Sequence, residues 1–195
     1  MFSLQKYRKK RDFTKTSEPR TLEAKPRKPK PIKQKKKPLK TKAKTKAKKS
    51  SKKNIFVIQE HFSKRKHFDF RIQISSFLRS WAVPKGVPKN TKDKRLAILT
   101  ENHPLEYAKF EGVIPKGEYG AGRVKIYDVG TFENIKKDKE GKIVPISKCF
   151  KNGQIEVFLH GKKINAAFAL VKFRDDKTWL LIKMKKRKDD KKSKN

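Results

Sequence analysis

The sequence predicts an all-β domain, a closed or nearly closed β-barrel with short helical segments, preceded by a disordered Lys-rich arm. Three observations carry this reading. From Asn54 onward the apolar residues come in short runs bounded by Gly, Pro and Asn, which is the punctuation of strands. No window sustains the i, i+3, i+4, i+7 apolar stripe of an amphipathic helix. Many short strands in about 130 residues are most simply satisfied by a sheet that closes on itself, because closure removes exposed edges.

In chain order, residues 1–53 form a basic arm. Within it, 7–19 are a mixed segment with aromatic, acidic and hydroxyl side chains, and 24–53 collapse into Lys, Pro, Ala, Thr and Ser. The second part has almost nothing to bury, so a solvated, self-repelling linker is expected, with order beginning near Asn54. Strands are expected over 55–61, 67–74, 78–83, 95–100, 122–128, 154–160, 165–174 and 177–184. The barrel domain then spans 54–184, and 185–195 are a basic tail. The glycines of 112–122 lack the G-x-x-x-x-G-K-[S/T] pattern of a phosphate loop and read as barrel corners.

Charge limits the function classes. The 195 residues hold 56 Lys+Arg against 19 Asp+Glu, a net charge of +37, of which +20 falls in residues 1–53. A polyanion is the expected partner, and nucleic acid is the most abundant one, bound strongly and with salt sensitivity. No run approaches the roughly 18 apolar residues of a spanning helix, and the first thirty residues hold no apolar signal core. Cys149 is the single cysteine, so no internal disulfide forms. A soluble, cytoplasmic, nucleoid-associated monomer is expected.

The candidate chemistry sits on two neighbouring runs, Phe56-Val-Ile-Gln-Glu-His61 and His67-Phe-Asp-Phe-Arg-Ile-Gln-Ile74. In a strand, alternate side chains share a face. His67, Asp69, Arg71 and Gln73 therefore lie on one face, opposite Phe68, Phe70, Ile72 and Ile74, and Gln59 aligns with His61. One histidine on a strand is ordinarily just a polar or core residue. Two imidazoles, a carboxylate and a guanidinium on one registered face are a coordination set for a divalent metal beside a phosphate-binding fork. The donor set does not by itself separate manganese from zinc. Arg95, His103 and Tyr107 form a second cluster that could hold a phosphate and handle a proton. Lys85, in Trp81-Ala-Val-Pro-Lys-Gly86, lies between a strand and a turn, and His160 reads as a strand-end residue. There is no Lys-x-Asp-Gly, so the chain does not carry a ligase's adenylation motif.

Gln59-x-His61-x5-His67-x-Asp69-x-Arg71, Trp81-Ala-Val-Pro-Lys-Gly86, Arg95-Leu-Ala, His103-Pro-Leu-x-Tyr107 and Phe110-Glu-Gly-Val-Ile-Pro-x-Gly-x-Tyr-Gly-Ala-Gly122 together resemble the 3′-phosphoesterase domain of bacterial DNA ligase D, which also occurs free-standing in bacteria and archaea. The resemblance runs from about Asn54 to Met184 and includes Arg11-Asp12-Phe-Thr-Lys-Thr-x-Glu18-Pro in the arm. It implies a manganese-dependent enzyme that removes a 3′-terminal ribonucleoside and then the 3′-phosphate, leaving a 3′-hydroxyl on a DNA primer-template or duplex end. It further implies His61, His67 and Asp69 as metal ligands. Arg71, Arg95 and His103 would contact the scissile phosphate, Gln59, Lys85 and Tyr107 would support activity, and Arg11, Asp12 and Glu18 would serve the ribonucleoside step. A separate DNA ligase, polymerase or Ku is the implied partner. Two features depart from the family pattern: 49 residues separate Asp12 from His61, and Phe68 stands where Tyr is commoner. The alternative is a non-catalytic basic nucleic-acid-binding protein, or an end-binding subunit of a repair complex, which would have no use for the His–His–Asp set.

Overall fold

The computed structural model describes residues 3–20 and 54–185. Nine strands follow in chain order: β1 (Asn54–Phe62), β2 (His67–Ile74), β3 (Phe77–Val83), β4 (Lys94–Leu99), β5 (Gly112–Ile114), β6 (Gly122–Asn134), β7 (Gln154–Gly161), β8 (Asn165–Lys172) and β9 (Thr178–Lys183). The helices are short: α1 (Gln5–Lys9), a 3-10 turn (Leu105–Lys109) and α2 (Ile146–Lys151). Every strand pairing is antiparallel, in the order β1-β2-β3-β4-β9-β8-β7-β6, and β6 returns to β1 to close an eight-stranded barrel. All eight expected runs are strands. The ninth, β5, is a three-residue strand on the first part of β6, and β6 itself continues past residue 128 to Asn134. It is long because it borders β1 from Asn54 to Phe62, with a register shift at Ile58/Gln59.

Alternation decides what goes inside. Phe56, Ile58, Phe70, Ile72, Trp81, Leu159, Phe168 and Leu181 fill the barrel. A second apolar cluster lies on the outer wall, where Val57 and Leu78 meet Leu4, Tyr7, Tyr107 and Phe110. This second cluster corrects the expectation that order starts near Asn54. Residues 3–20 fold onto the barrel, because Leu4 and Tyr7 supply the apolar anchors that the following Lys-rich stretch lacks, and Tyr7 is 1% exposed. The expected disordered linker, 24–53, lies outside the described residues, as does the tail beyond residue 185.

The glycine-rich corner is structural, as expected. Gly122 has φ +135°, and a Cβ there would meet the backbone carbonyl of Phe62. Only glycine lets β6 start this close to the end of β1. The β2–β3 hairpin turns on Ser75 and Ser76, with Ser75 at φ +59°, and pairs Ile74 with Phe77 and Arg71 with Ser80.

Candidate metal centre and phosphate cleft

The site lies on the outside of the barrel, on the wall made by β1, β2 and β3. Register builds it. Across β1 and β2, Gln59 pairs with Asp69 and His61 with His67, so these side chains stand together with Arg71 on the face away from the core. Potential ligand atoms of His61, His67 and Asp69 all lie within 4.8 Å of one another. His61 Nδ1 is 3.7 Å from Asp69 Oδ2, and His67 Nε2 is 3.8 Å from Asp69 Oδ1.

Backbone carbonyls set the tautomers. A carbonyl can only accept, so His61 donates Nε2–H to Gly120 O at 2.9 Å, and His67 donates Nδ1–H to Arg65 O at 2.9 Å. In the neutral rings, the nitrogens left with lone pairs are the two that face Asp69. Asp69 keeps its charge despite burial, which by itself would raise its pKa, because the Arg71 guanidinium beside it holds the carboxyl below its ordinary range. Lone-pair nitrogens, an ionised carboxylate and outer hydrogen bonds that orient the rings are what a divalent ion needs of its ligands.

Beside this cluster is a buried guanidinium. Arg71 donates Nε–H to Gln59 Oε1 at 2.8 Å, Nη1–H to Ser80 Oγ at 2.7 Å and Nη2–H to Asp69 Oδ2 at 3.0 Å. Three of its five N–H groups are used, leaving one on each Nη. Gln59 is locked in turn by donating to the carbonyls of Tyr107 and Phe110 at 3.2 and 2.8 Å. His103 donates Nδ1–H to Glu101 O at 3.0 Å, with Ser80 Oγ 3.1 Å away. Burial, with Arg71 and Arg11 close by, pushes its pKa well below 6.5, so the ring stays neutral. Tyr107 packs edge-on to His103, its ring under Arg71, and burial pushes its hydroxyl well above the usual phenol range.

The N-terminal segment roofs the cleft. Arg11 donates Nε–H to Glu18 Oε1 at 2.8 Å and Nη1–H to Glu101 Oε1 at 3.1 Å, and places Nη2 3.4 Å from His103 Nε2. Glu18 also accepts from Tyr107 Oη at 3.0 Å, and Lys10 bonds Glu101 at 3.1 Å. Asp12 does not enter this network. Its carboxylate accepts from Thr14 N and Thr14 Oγ1 and meets Lys15. The resulting cleft has a volume of about 330 Å³ and is lined by Arg11, His61, His67, Asp69, Arg71 and His103 among others.

Of the residues expected at the site, the structure brings together His61, His67, Asp69, Arg71, Gln59, His103, Tyr107, Arg11 and Glu18. It does not bring in Arg95 or Lys85. Arg95 pairs opposite Leu181, on the core-facing side of β4, and bonds Asp93 at 2.9 Å. β4 joins β3 at only two residue pairs, Trp81–Leu99 and Ala82–Ile98, so Arg95 runs on past the site wall. Lys85 lines a separate cleft. Sequence reasoning missed Ser80, which bridges Arg71 and His103, and Glu101, which anchors Arg11 and Lys10. Ser80 was findable: a two-residue turn at Ser75-Ser76 sets the register that places it opposite Arg71.

Fold and site together define a closed antiparallel barrel with a His–His–Asp cluster and buried arginines on its outer wall. Residues 59–172 match the model of the DNA ligase D 3′-phosphoesterase domain, and the chain belongs to that family. It is 47% identical over 138 residues to the multifunctional non-homologous end joining DNA repair protein LigD of Mycobacterium tuberculosis, and 43% identical over 134 residues to LigD of Mycolicibacterium smegmatis. LigD of Pseudomonas aeruginosa is 37% identical over 133 residues. These alignments cover 67–71% of the chain but only 15–17% of the relatives, so the chain matches one part of much longer proteins.

Proposed function

We propose that the chain is a metal-dependent phosphoesterase of DNA 3′ ends, removing a terminal ribonucleoside and then the 3′-phosphate to leave a 3′-hydroxyl for end joining. The observation that supports this best is the convergence, on one strand face, of the His61–His67–Asp69 cluster with the two unused N–H groups of Arg71. His61, His67 and Asp69 would hold the ion, manganese on the family's pattern. Bound there, it would supply Lewis-acid polarisation of a phosphoryl oxygen.

The protein's own groups do the rest. Arg71 presents a preorganised fork to two phosphoryl oxygens, fixed by Gln59, Ser80 and Asp69 before substrate arrives. Arg11 has one N–H left on Nη2 for a third oxygen. His103 is neutral, with its proton on Nδ1 and its Nε2 accepting from Arg11 Nη2. It would therefore orient the Arg11 guanidinium toward the developing phosphoryl charge, and would take up a proton only where substrate draws Arg11 away. The basic arm would hold duplex backbone and raise the encounter rate. The setting would be the cytoplasmic nucleoid, with a separate ligase, polymerase or Ku using the cleaned end.

The test is a 3′-end assay on a primer-template with one terminal ribonucleotide, run with manganese, with chelator and with Asp69→Ala. Metal-dependent shortening to a 3′-phosphate and then a 3′-hydroxyl, lost in the variant, is the expected result. Intact duplex binding with no trimming under any divalent metal would leave a basic binding module instead.

A further inference from the structure

A second cleft, apart from the metal site, lies on the other side of β2. It has a volume of about 520 Å³ and is lined by Lys85, Lys89, Lys163 and Lys183 around Phe68 and Tyr127, with no acidic residue in its lining. Phe68 sits between His67 and Asp69 in sequence, and its side chain is on the opposite, core-facing side of the strand. The two clefts therefore flank one short stretch of β2, whose successive Cα atoms are about 3.8 Å apart.

Both walls of this cleft are built. Asp128, 4% exposed, accepts from three consecutive backbone N–H groups at 3.0, 3.1 and 2.8 Å, those of Lys162, Lys163 and Ile164. That clamp fixes the turn from which Lys163 projects, and Lys163 Nζ lies 4.5 Å from the centre of the Tyr127 ring. On the other wall, Lys183 donates to the carbonyl of Lys89 at 2.9 Å, tying the loop after β3 to β9. Gly86 (φ +72°) backs against Phe68, whose ring meets Tyr127 edge-on at 5.4 Å. The Lys85 and Lys89 side chains are exposed.

Four ammonium groups around an aromatic and aliphatic floor suit a ligand with several anions and a flat, partly apolar body. We propose that this cleft is a second nucleic-acid subsite, holding a single-stranded stretch of the substrate with its phosphates on the lysines and its sugars and bases over Phe68 and Tyr127. It rests on the 3′-end reading for which strand is held. β2 contributes to both clefts, with His67 and Asp69 lining one and Phe68 lining the other.

The test uses the full chain carrying Asp69→Ala, so that no substrate is turned over. Fluorescence anisotropy gives Kd for a primer-template with a ten-nucleotide single-stranded overhang and for the blunt duplex. Lys89→Glu with Lys163→Glu is compared with Lys35→Glu with Lys36→Glu, which changes the net charge equally but lies in the arm. The expected result is at least tenfold weaker overhang binding in the cleft variant than in the arm variant, with blunt-duplex binding equal in the two. Equal loss in both variants, or an equal effect on blunt duplex and overhang, overturns the subsite. A wild-type protein without 3′-end activity would sink the functional reading and leave this comparison of affinities untouched, so the two failures are distinguishable.

Discussion

The floor and the roof of the cleft are built by different means. The floor, from Gln59 to Arg71, is one hairpin whose side chains are placed by strand register, and its residues are 12 positions apart at most. The roof is a segment of the first 20 residues held down by an apolar anchor and buried ion pairs that reach 90 residues along the chain, from Arg11 to Glu101. The floor is therefore as stable as the barrel, whereas the roof is only as stable as a few contacts. The parts expected to hold the metal sit in the barrel wall, and the segment above them is expected to open at a lower cost than unfolding the barrel.

The largest expected effect falls on the floor. Replacing Asp69 with Ala removes one of the three proposed ligands and leaves Arg71 beside two imidazoles. On the proposed mechanism, losing the several kcal/mol of Lewis-acid stabilisation should lower the rate by about 10³-fold or more. Equilibrium dialysis with manganese should show the ion lost together with activity on both the ribonucleoside and the 3′-phosphate. Full metal binding in the variant would move the centre away from these residues.

Next comes the roof. Glu18→Gln takes the charge from a carboxylate that accepts from Arg11, Tyr107 and Thr16. Breaking a buried ion pair on one side is worth about 3 kcal/mol or more. The roof can release, so the loss should appear locally. Trypsin should cut the α1 segment about a hundredfold faster, with the barrel's melting transition nearly unmoved. A cooperative fall in the melting temperature, with the segment still protected, would show that floor and roof are one unit.

This contrast also explains how much was legible in the sequence. The floor was readable because the two-residue period of a strand is local. His61, His67, Asp69 and Arg71 could be grouped without knowing the fold, and the hairpin register confirmed it. The roof was not readable from periodicity, since nothing in residues 3–20 alone says that Tyr7 will bury against Val57, Leu78 and Tyr107. Its expected part in the site came from the family motif, and only the structure shows Arg11 docked and Glu101 receiving it. Arg95 and Lys85 illustrate the opposite case: the family motif suggested the site, but Arg95 lies on β4 opposite Leu181, and Lys85, in the turn after β3, lines a separate cleft.

A smaller effect should separate floor from roof by pH, through His103, which faces Arg71 from the floor and Arg11, Lys10 and Glu101 from the roof side. Its folded pKa lies well below 6.5, so below that pH the unfolded chain takes up a proton that the folded chain does not. Stability from this group is present above pH 6.5 and lost as pH falls, at up to about 1.4 kcal/mol per pH unit. The loss attributed to the lowered pKa of Asp69 comes only below its ordinary value of 3.8. Urea unfolding of the metal-free protein at pH 4.5, 5.5 and 6.5 should therefore show a steeper slope in wild type than in His103→Gln. Identical slopes would mean that the roof opens on acidification and lets water reach the ring.

The smallest structural effect belongs to Asp12. It is next to Arg11 in sequence yet outside the cleft network, its side chain 43% exposed. Its carboxylate accepts from the backbone N–H of Thr14 at 3.0 Å and the hydroxyl of Thr14 at 2.6 Å, closing a tight turn. Asparagine keeps an oxygen for both bonds and loses only the charge beside Lys15. The melting curve and trypsin pattern of Asp12→Asn should therefore superimpose on those of wild type, and so should release of a 3′-phosphate. Any loss confined to removal of the terminal ribonucleoside would then be chemical rather than structural: the Asp12 charge, exposed at the rim of the roof, would be acting on the nucleoside beyond the scissile phosphate. If 3′-phosphate release fell equally, Asp12 would belong to the floor's chemistry, and the division between a rigid floor and a releasable roof would no longer describe the site.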